Sequence, residues 1–362
     1  MLDFGNTIIN SMIGGLIIAL VSSLHLYLQG KITGISDIIF KCISLTDFNY
    51  NFSFILGMIF MSSFIKNFFD PLEQPKLVDS PTFLETSSKF VGDLSLPGFM
   101  ISGFLVGFGS KMASGCISGH GICGLPLINK RSFVAIILFM IFGILVSTIR
   151  YYIPFLRPYS YAYSVWEHSF IYFLILFSSF CGFCFIIWKS FKSGIKDKVR
   201  DIMIGFFLGA LFSFGAIQSG IVERHVIVEF LTIGKDWNIQ FAFILGTTVG
   251  INFFTFNFIL KTVTRPRYKE KYDFPSDTFI DNKLCVGAAI FGLGWGLGGI
   301  SPGSAVLCCY LYCPQILWFL ITMCLGMYIE NVFDKKLGEP INNNAFISKM
   351  NKFQKFIDNQ NT

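Results

Sequence analysis

Residues 107–119 read GFGSKMASGCISG and residues 292–304 read GLGWGLGGISPGS, and the two stretches align without a gap at an offset of 185. Gly107 falls on Gly292, Gly109 on Gly294 and Cys116 on Ser301. Upstream, 12-MIGGLIIAL-20 pairs with 203-MIGFFLGAL-211 at a nearby offset. Membrane helices share glycines by chance, but two matches in the same order argue for an internal duplication. Each copy predicts a long span, a second span, a short glycine-rich span running into a turn, and a closing span.

Composition decides the environment of that duplication. The chain has 362 residues, 53% of them hydrophobic and only 14% charged, with 44 Phe and a mean hydropathy of +0.62. Soluble domains carry about a quarter charged residues, so the sequence reads as an all-α polytopic membrane protein in a lipid bilayer. The net charge of +6 is then a matter of loop asymmetry and gives no argument for nucleic acid. The ten cysteines suggest no disulfide framework, because Cys181, Cys184, Cys285 and Cys324 sit in apolar runs where cysteine acts as a small hydrophobe. The first apolar run, near Ile8 to Leu28, lacks a basic leader and is long enough to span, so it reads as a span and not a signal peptide.

About nine spans are expected, near 7–28, 52–69, 94–110, 132–149, 169–188, 200–217, 239–260, 284–299 and 314–333. An odd number places the termini on opposite sides. One side then holds Lys66, Lys76, Lys89, Arg150, Arg157, Arg224 and Lys235, and the other 21 of the 28 basic residues. The latter include the runs 189-KSFKSGIKDKVR-200 and 261-KTVTRPRYKEKYDF-274. The excess of Lys and Arg on cytosolic loops predicts an N-terminus outside and a C-terminus in the cytosol, with the membrane itself unspecified. Residues 1–190 form the first repeat plus a connecting helix, 191–340 the second repeat, and 341–362 a polar tail. The span near 169–188 is the extra helix, so the second repeat enters from the opposite face. Inverted-topology repeats place a substrate site near the bilayer midplane, where broken helices meet.

Irregular backbone at membrane depth survives only where protein buries it or where it lines a cavity. The stretches 115-GCISGHGICG-124 and 298-GGISPGSA-305 are the two candidates, with Cys116 facing Ser301 under the pseudo-symmetry. A half-helix starting after each turn would turn backbone N–H groups toward an anion. Lys111 either points inward as a fixed positive charge or snorkels to the interface. A thiol is weak and polarisable, suited to a soft sulfur-bearing ligand, and Cys116 stands beside Ser118, His120 and Cys123. His120 either donates to a ligand or ties down the turn, and Cys123 either faces the ligand or packs in the next helix. These six residues, Lys111, Cys116, Ser118, His120, Cys123 and Ser301, form the expected substrate pathway. No resident cofactor or metal is expected. The rival ligand set C-x3-H-x2-C, with Cys308, Cys309 and Cys313 nearby, leaves a soft-metal permease open, although structural zinc takes four ligands. No G-x-S-x-G, Walker loop or H-E-x-x-H is present, so no enzyme is expected.

The segment 115-GCISGHGICG-124 resembles the Gly-Cys-x-Ser-Gly-His-Gly signature of the bacterial YeeE/YedE family of sulfur-transport (thiosulfate uptake) membrane proteins. The likeness extends to 30-GKITGIS-36, to 219-SGIVERHVIVEFLTIGKDWNIQFAFILGTTVG-250, and to 294-GWGLGGISPGSAV-306, which is similar to the family's Gly-Trp-Gly-x-x-Gly-x-Cys-Pro-Gly. The resemblance implies a compact bundle of two inverted halves in which thiosulfate passes between thiols by hydrogen bonding, without a large rocking motion. Cys116 matches the first-half cysteine. Ser301 stands where the second-half cysteine would be. The family's further cysteine near the first span has no clear match, with His25 and Cys42 as open alternatives. The expectation is a transporter or channel for thiosulfate or a related small sulfur-containing anion. A membrane scaffold for a cytosolic sulfurtransferase is the remaining alternative.

Overall fold

The computed structural model describes residues 4–68, 94–153, 155–156, 169–192, 196–234, 237–274, 279–311 and 314–338. Among these residues it is helical throughout, and the expected tail at 341–362 lies outside them. The first half runs through α1 (Phe4–Gln29), α2 (Ile35–Ile43), α3 (Phe48–Phe68), α4 (Leu96–Met112), the π-wound α5 (Ile117–Gly124) and α6 (Lys130–Tyr152). After α7 (Ser169–Lys192) come α8 (Lys196–Ser219), α9 (Arg224–Leu231), α10 (Gln240–Thr262), α11 (Asn282–Gly298), α12 (Pro302–Leu307) and α13 (Pro314–Gly338).

All nine expected spans fall on helices, but six are long and apolar enough to cross a membrane by themselves. They are α1, α3, α6, α8, α10 and α13, and α4 with α5 forms a seventh as a pair bent by 48°. Length and apolarity alone thus account for up to seven of the nine, and the other two are short among the described residues. Helix α11 stops after 17 residues because Gly299 turns left-handed at φ +68, a conformation that ends helices and suits glycine. The apolar part of α7 among the described residues covers only Leu174–Ser190.

Packing follows the order of the halves. Helix α3 lies against α8 as α10 lies against α1, and α13 lies against α4 as α6 lies against α11. The pairs α1–α8 and α4–α11 join a helix to its counterpart. Glycines make these seams. A Cβ on Gly107 would overlap the carbonyl oxygen of Met323 in α13, and one on Gly292 would lie 2.8 Å from that of Phe139 in α6. Gly109 is similarly pressed on Phe291 of α11, and Gly294 on Val106 of α4. Small residues let membrane helices approach backbone to backbone, where dispersion and weak hydrogen bonds replace the missing hydrophobic drive. The outward faces carry Leu16, Phe133, Ile141, Phe177, Phe254 and Trp318, all exposed, as lipid contact requires.

Two short helices, invisible to a window sized for spans, brace the breaks. The N-terminal end of α2 donates the Ile35 N–H to Ser118 Oγ at 2.9 Å. The fully buried Arg224, first residue of α9, donates from Nε to the carbonyl oxygen of Gly298 at 2.6 Å. Each orphan backbone or hydroxyl group at a break thus meets a donor from the neighbouring short helix, as buried polar groups demand.

Candidate functional site

Each broken segment restarts as a short helix, and the residue capping it is Cys116 in the first half and Ser301 in the second. The gapless alignment of the two stretches therefore holds in three dimensions at the capping position. Both residues line one cavity of about 40 Å³, together with Ser118, Ser304 and an apolar collar that includes Ile18, Ile35 and Phe212. That volume is close to what one water molecule occupies. The arrangement is a narrow constriction with the Cys116 thiol and Ser118 hydroxyl on one side and the Ser301 and Ser304 hydroxyls on the other.

The two caps differ in what they already do. Ser301 Oγ accepts from the Ser304 N–H at 3.3 Å, while Ser304 Oγ accepts from the Ser301 N–H at 2.9 Å. This reciprocal capping box satisfies donors that helix starts leave over. Cys116 makes no cap hydrogen bond, and its Sγ lies 3.2 Å from Ser118 Oγ. The anion-directed N–H groups expected after each turn are therefore partly used internally at α12, where Ser301 supplies their oxygen.

The remaining expected residues lie elsewhere. His120 is a staple. Its Nε2 is 3.0 Å from the carbonyl oxygen of Ala113, which can only accept, so Nε2 carries the proton. Its Nδ1 then accepts from Ser132 Oγ at 3.0 Å. Gly115 and Gly124 make room for this seat, since a Cβ on the first would press on the imidazole and one on the second would overlap Ser132 Oγ. Cys123 is fully buried and points its thiol at the Thr33 carbonyl oxygen, 3.8 Å away. Lys111 does not line the cavity; its Nζ stands 3.8 Å over the Phe40 ring, a cation–π contact. The set Cys116, His120 and Cys123 does not converge. Among the described residues no group of three or more His, Cys, Asp or Glu could hold a metal ion, and Cys313 lies outside them.

Sequence reasoning missed Ser304 and Asn252. The amide of the buried Asn252 in α10 donates to the Ile122 carbonyl oxygen at 2.9 Å and to Ser22 Oγ at 2.8 Å, pinning the π-wound α5 to α1. A lone buried Asn in a Phe-rich span was the signal available, because a polar side chain in lipid must be paired or functional.

Bent helices, lipid-facing apolar belts and a small, mostly apolar cavity with a few polar groups between the halves define a multi-pass integral membrane protein of the broken-helix kind. Residues 200–339, nearly the whole second half, match the family described as "Family of unknown function (DUF6691)". A "Probable transporter" of Xylella fastidiosa strain Temecula1 is 32% identical over 124 residues, which make 83% of that protein and 34% of this chain. A second "Probable transporter" of the same strain is 30% identical over 137 residues, 90% of its length and 38% of this chain. A "Probable transporter" of strain 9a5c is 32% identical over 124 residues, covering 84% of that protein. The chain belongs to the family of these proteins, each less than half as long as itself.

Proposed function

We propose that this protein is a transporter or channel for a small sulfur-containing anion, thiosulfate or a related inorganic sulfur compound, which passes the constriction between Cys116 and Ser301. One observation carries the reading: the caps of the two interrupted helices, one a thiol and one a hydroxyl, border the same buried cavity. The relatives named as transporters support the general class. The resemblance of 115-GCISGHGICG-124 to the YeeE/YedE signature supports the sulfur ligand.

Chemically, Cys116 is the group free to act. Its Sγ and the Ser118 Oγ are hydrogen-bonded to each other at 3.2 Å, and whichever of the two does not donate in that bond is left with a weak donor that a soft terminal sulfur can accept from without being held. Ser301 adds a harder hydroxyl for an oxygen of the same anion. Weak, multiple contacts let an ion enter and leave, which conduction requires. The two halves, residues 1–190 and 191–340, form inverted repeats in this reading, with the N-terminus outside, the C-terminus in the cytosol and α7 as the extra crossing. The basic segment 189–200 is then on the cytosolic side, where a sulfurtransferase receiving the anion would dock.

Uptake of thiosulfate, sulfite, sulfate and selenite into vesicles reconstituted with the full chain tests the proposal. The expected result is accumulation of thiosulfate or sulfite, reduced at least tenfold in Cys116→Ala with unchanged thermal stability. Absence of uptake for every sulfur anion, or equal uptake by Cys116→Ala, overturns it.

A further inference from the structure

A second cavity, of about 250 Å³, opens beside the constriction and has a different chemistry. It lies among the end of α1, α2, the start of α3 and the turn into α5, with His25, Lys31, Lys41, Tyr50, Gly34 and Gly119 in its walls. The segment after α10 closes it on one side. That segment is fixed over the end of α1 by the Arg267 N–H on the Tyr27 carbonyl oxygen, the Tyr268 N–H on that of Leu28, and the Asp273 N–H on that of Gly30. The Lys269 ammonium, 2.8 Å from Asp201, ties it to α8.

Two polar atoms in this cavity's lining are buried and unsatisfied. His25 is 1% exposed and Tyr50 is 4% exposed, and neither His25 Nε2 nor Tyr50 Oη has a hydrogen-bond partner. The two rings stack with centroids 5.7 Å apart. His25 Nδ1 is 2.9 Å from Thr33 Oγ1; with the Thr33 hydroxyl donating there, Nε2–H becomes a donor with nothing to donate to. A buried polar group left unpaired costs about 1–3 kcal/mol, so a pair of them in one wall marks a place where something is bound.

The charges say what. Lys31 and Lys41 have side chains 21% and 29% exposed, whereas their carboxylate partners Asp47 and Asp37 are 51% and 54% exposed. The third acidic residue nearby, Asp273, is also exposed. Asp37 and Asp273 line the cavity beside Lys31 and Lys41, so its walls carry both signs, with the two ammonium groups less exposed than the carboxylates that pair with them. Lys31 Nζ also lies 5.5 Å over the Tyr50 ring.

The floor leads to the constriction. Gly34 and Gly119 line this cavity, while their chain neighbours Ile35 and Ser118 line the cavity of Cys116 and Ser301. The two glycines face each other across the partition. A Cβ on Gly119 would lie 3.8 Å from Gly34 Cα, an ordinary contact, and neither residue has a positive φ. Gly107, Gly109 and Gly124 are crowded, and Gly299 needs its left-handed backbone. Neither reason applies to Gly34 or Gly119. With hydrogens in place of side chains, the two backbones meet here at ordinary contact distance and form a thin partition.

We infer that the vestibule of His25, Tyr50, Lys31 and Lys41 is an anion-binding subsite for a small inorganic oxyanion, in series with the Cys116–Ser301 constriction through an aperture that opens at the Gly34–Gly119 contact. The serial part rests on the transport reading; the binding part stands without it. In the bound state Tyr50 Oη–H and His25 Nε2–H donate to the anion's oxygens, and the two lysines balance its charge.

The test uses the purified full chain in detergent, titrated calorimetrically with thiosulfate and with sulfate, alongside uptake into vesicles. Tyr50→Phe removes one oxygen and nothing else, and Lys41→Gln changes a half-exposed side chain. Each is expected to raise the anion dissociation constant about tenfold, the factor that one charge-assisted hydrogen bond supplies. Cys116→Ala is expected to bind as wild type does while losing uptake. Gly119→Ala is expected to keep binding and its melting temperature while uptake falls at least tenfold. Wild-type anion binding that neither Tyr50→Phe nor Lys41→Gln weakens overturns the subsite, as does calorimetric preference for sodium over both anions. Full uptake by Gly119→Ala overturns the aperture. If wild type binds anion in this manner but transports none, the transport reading fails and the subsite stands.

Discussion

The two interrupted helices solve one geometric problem in different ways. In the first half, α4 ends at Met112, the chain turns through Ser114 at φ +60, and α5 restarts as a π-helix pinned by His120 and Asn252. In the second half, Gly299 at φ +68 turns the chain and Ser301 closes a capping box over α12. The first break is held by side chains from a distance, which leaves its capping residue unengaged by any backbone donor. The second is held by its own capping residue together with Arg224 from α9. A group committed to local structure is a poor ligand, so the transport proposal gives the larger part to Cys116, whose thiol meets Ser118 and caps no backbone N–H. π-Helical turns are rare and cluster at functional sites, which agrees with that division.

Breaking the second turn itself has the largest expected effect. Gly299→Ala forces a Cβ onto Val228 Cγ2 and places it 2.9 Å from Arg224 Cγ, in a backbone region that L residues avoid. A destabilisation of about 2–5 kcal/mol is expected, read as a large fall in melting temperature or loss of folded protein in detergent. Unaltered melting would show that α9 does not brace the break. Next is Arg224→Leu, which leaves the Gly298 carbonyl oxygen without the Nε donor. Stability should drop by about 1–3 kcal/mol, with no comparable loss from Lys111→Leu, whose ammonium stands over the Phe40 ring and braces no carbonyl of a break. Equal effects from the two would erase the distinction between bracing and surface cations.

Ser301→Ala and Cys116→Ala should then separate structure from chemistry. The first loses a cap, about 1 kcal/mol, and the second loses uptake without a comparable change in stability. The reverse pattern would invert the comparison. Smallest in stability terms is Ser301→Cys. Sulfur accepts a backbone N–H more weakly than oxygen does, so a slight softening is expected, of about 0.5 kcal/mol against the full cap value. Thiosulfate uptake should rise, because both caps then carry thiols. Lost folding or lost uptake would show that these two positions do not share one passage.

Much of this was legible before any coordinates. The offset of 185 places Cys116 and Ser301 in equivalent positions, and each caps a short helix on the same cavity. Span positions follow hydropathy because lipid allows few alternatives. What escaped was short or distant. Helices α2 and α9 have nine and eight residues, below any spanning window, and 30-GKITGIS-36 reads as a turn although its second part opens α2. The role of His120 depends on Ala113 and Ser132, neither of which its local pattern singles out. Lys111 stands over Phe40, seventy-one positions earlier in the chain, a contact its local sequence does not announce. The vestibule draws on α1, α2, α3 and the turn before α5, a convergence that only tertiary structure supplies.

The glycine seams have a mechanical consequence. Gly57 of α3 sits on the Phe206 carbonyl and Gly209 of α8 on that of Phe54, while Gly107 and Gly103 of α4 sit on those of Met323 and Phe319 in α13. Helices in contact through carbonyl oxygens have no clearance for sliding; they would have to part before they could shift. Close-packed interiors resist such motion and change by discrete local steps. The scaffold therefore reads as a fixed housing, and under the transport proposal the parts left to move are a few side chains around the Gly34–Gly119 contact. A machine of that kind spends little activation enthalpy per passage, so its flux should depend on temperature more like diffusion through a narrow opening than like the swing of a domain.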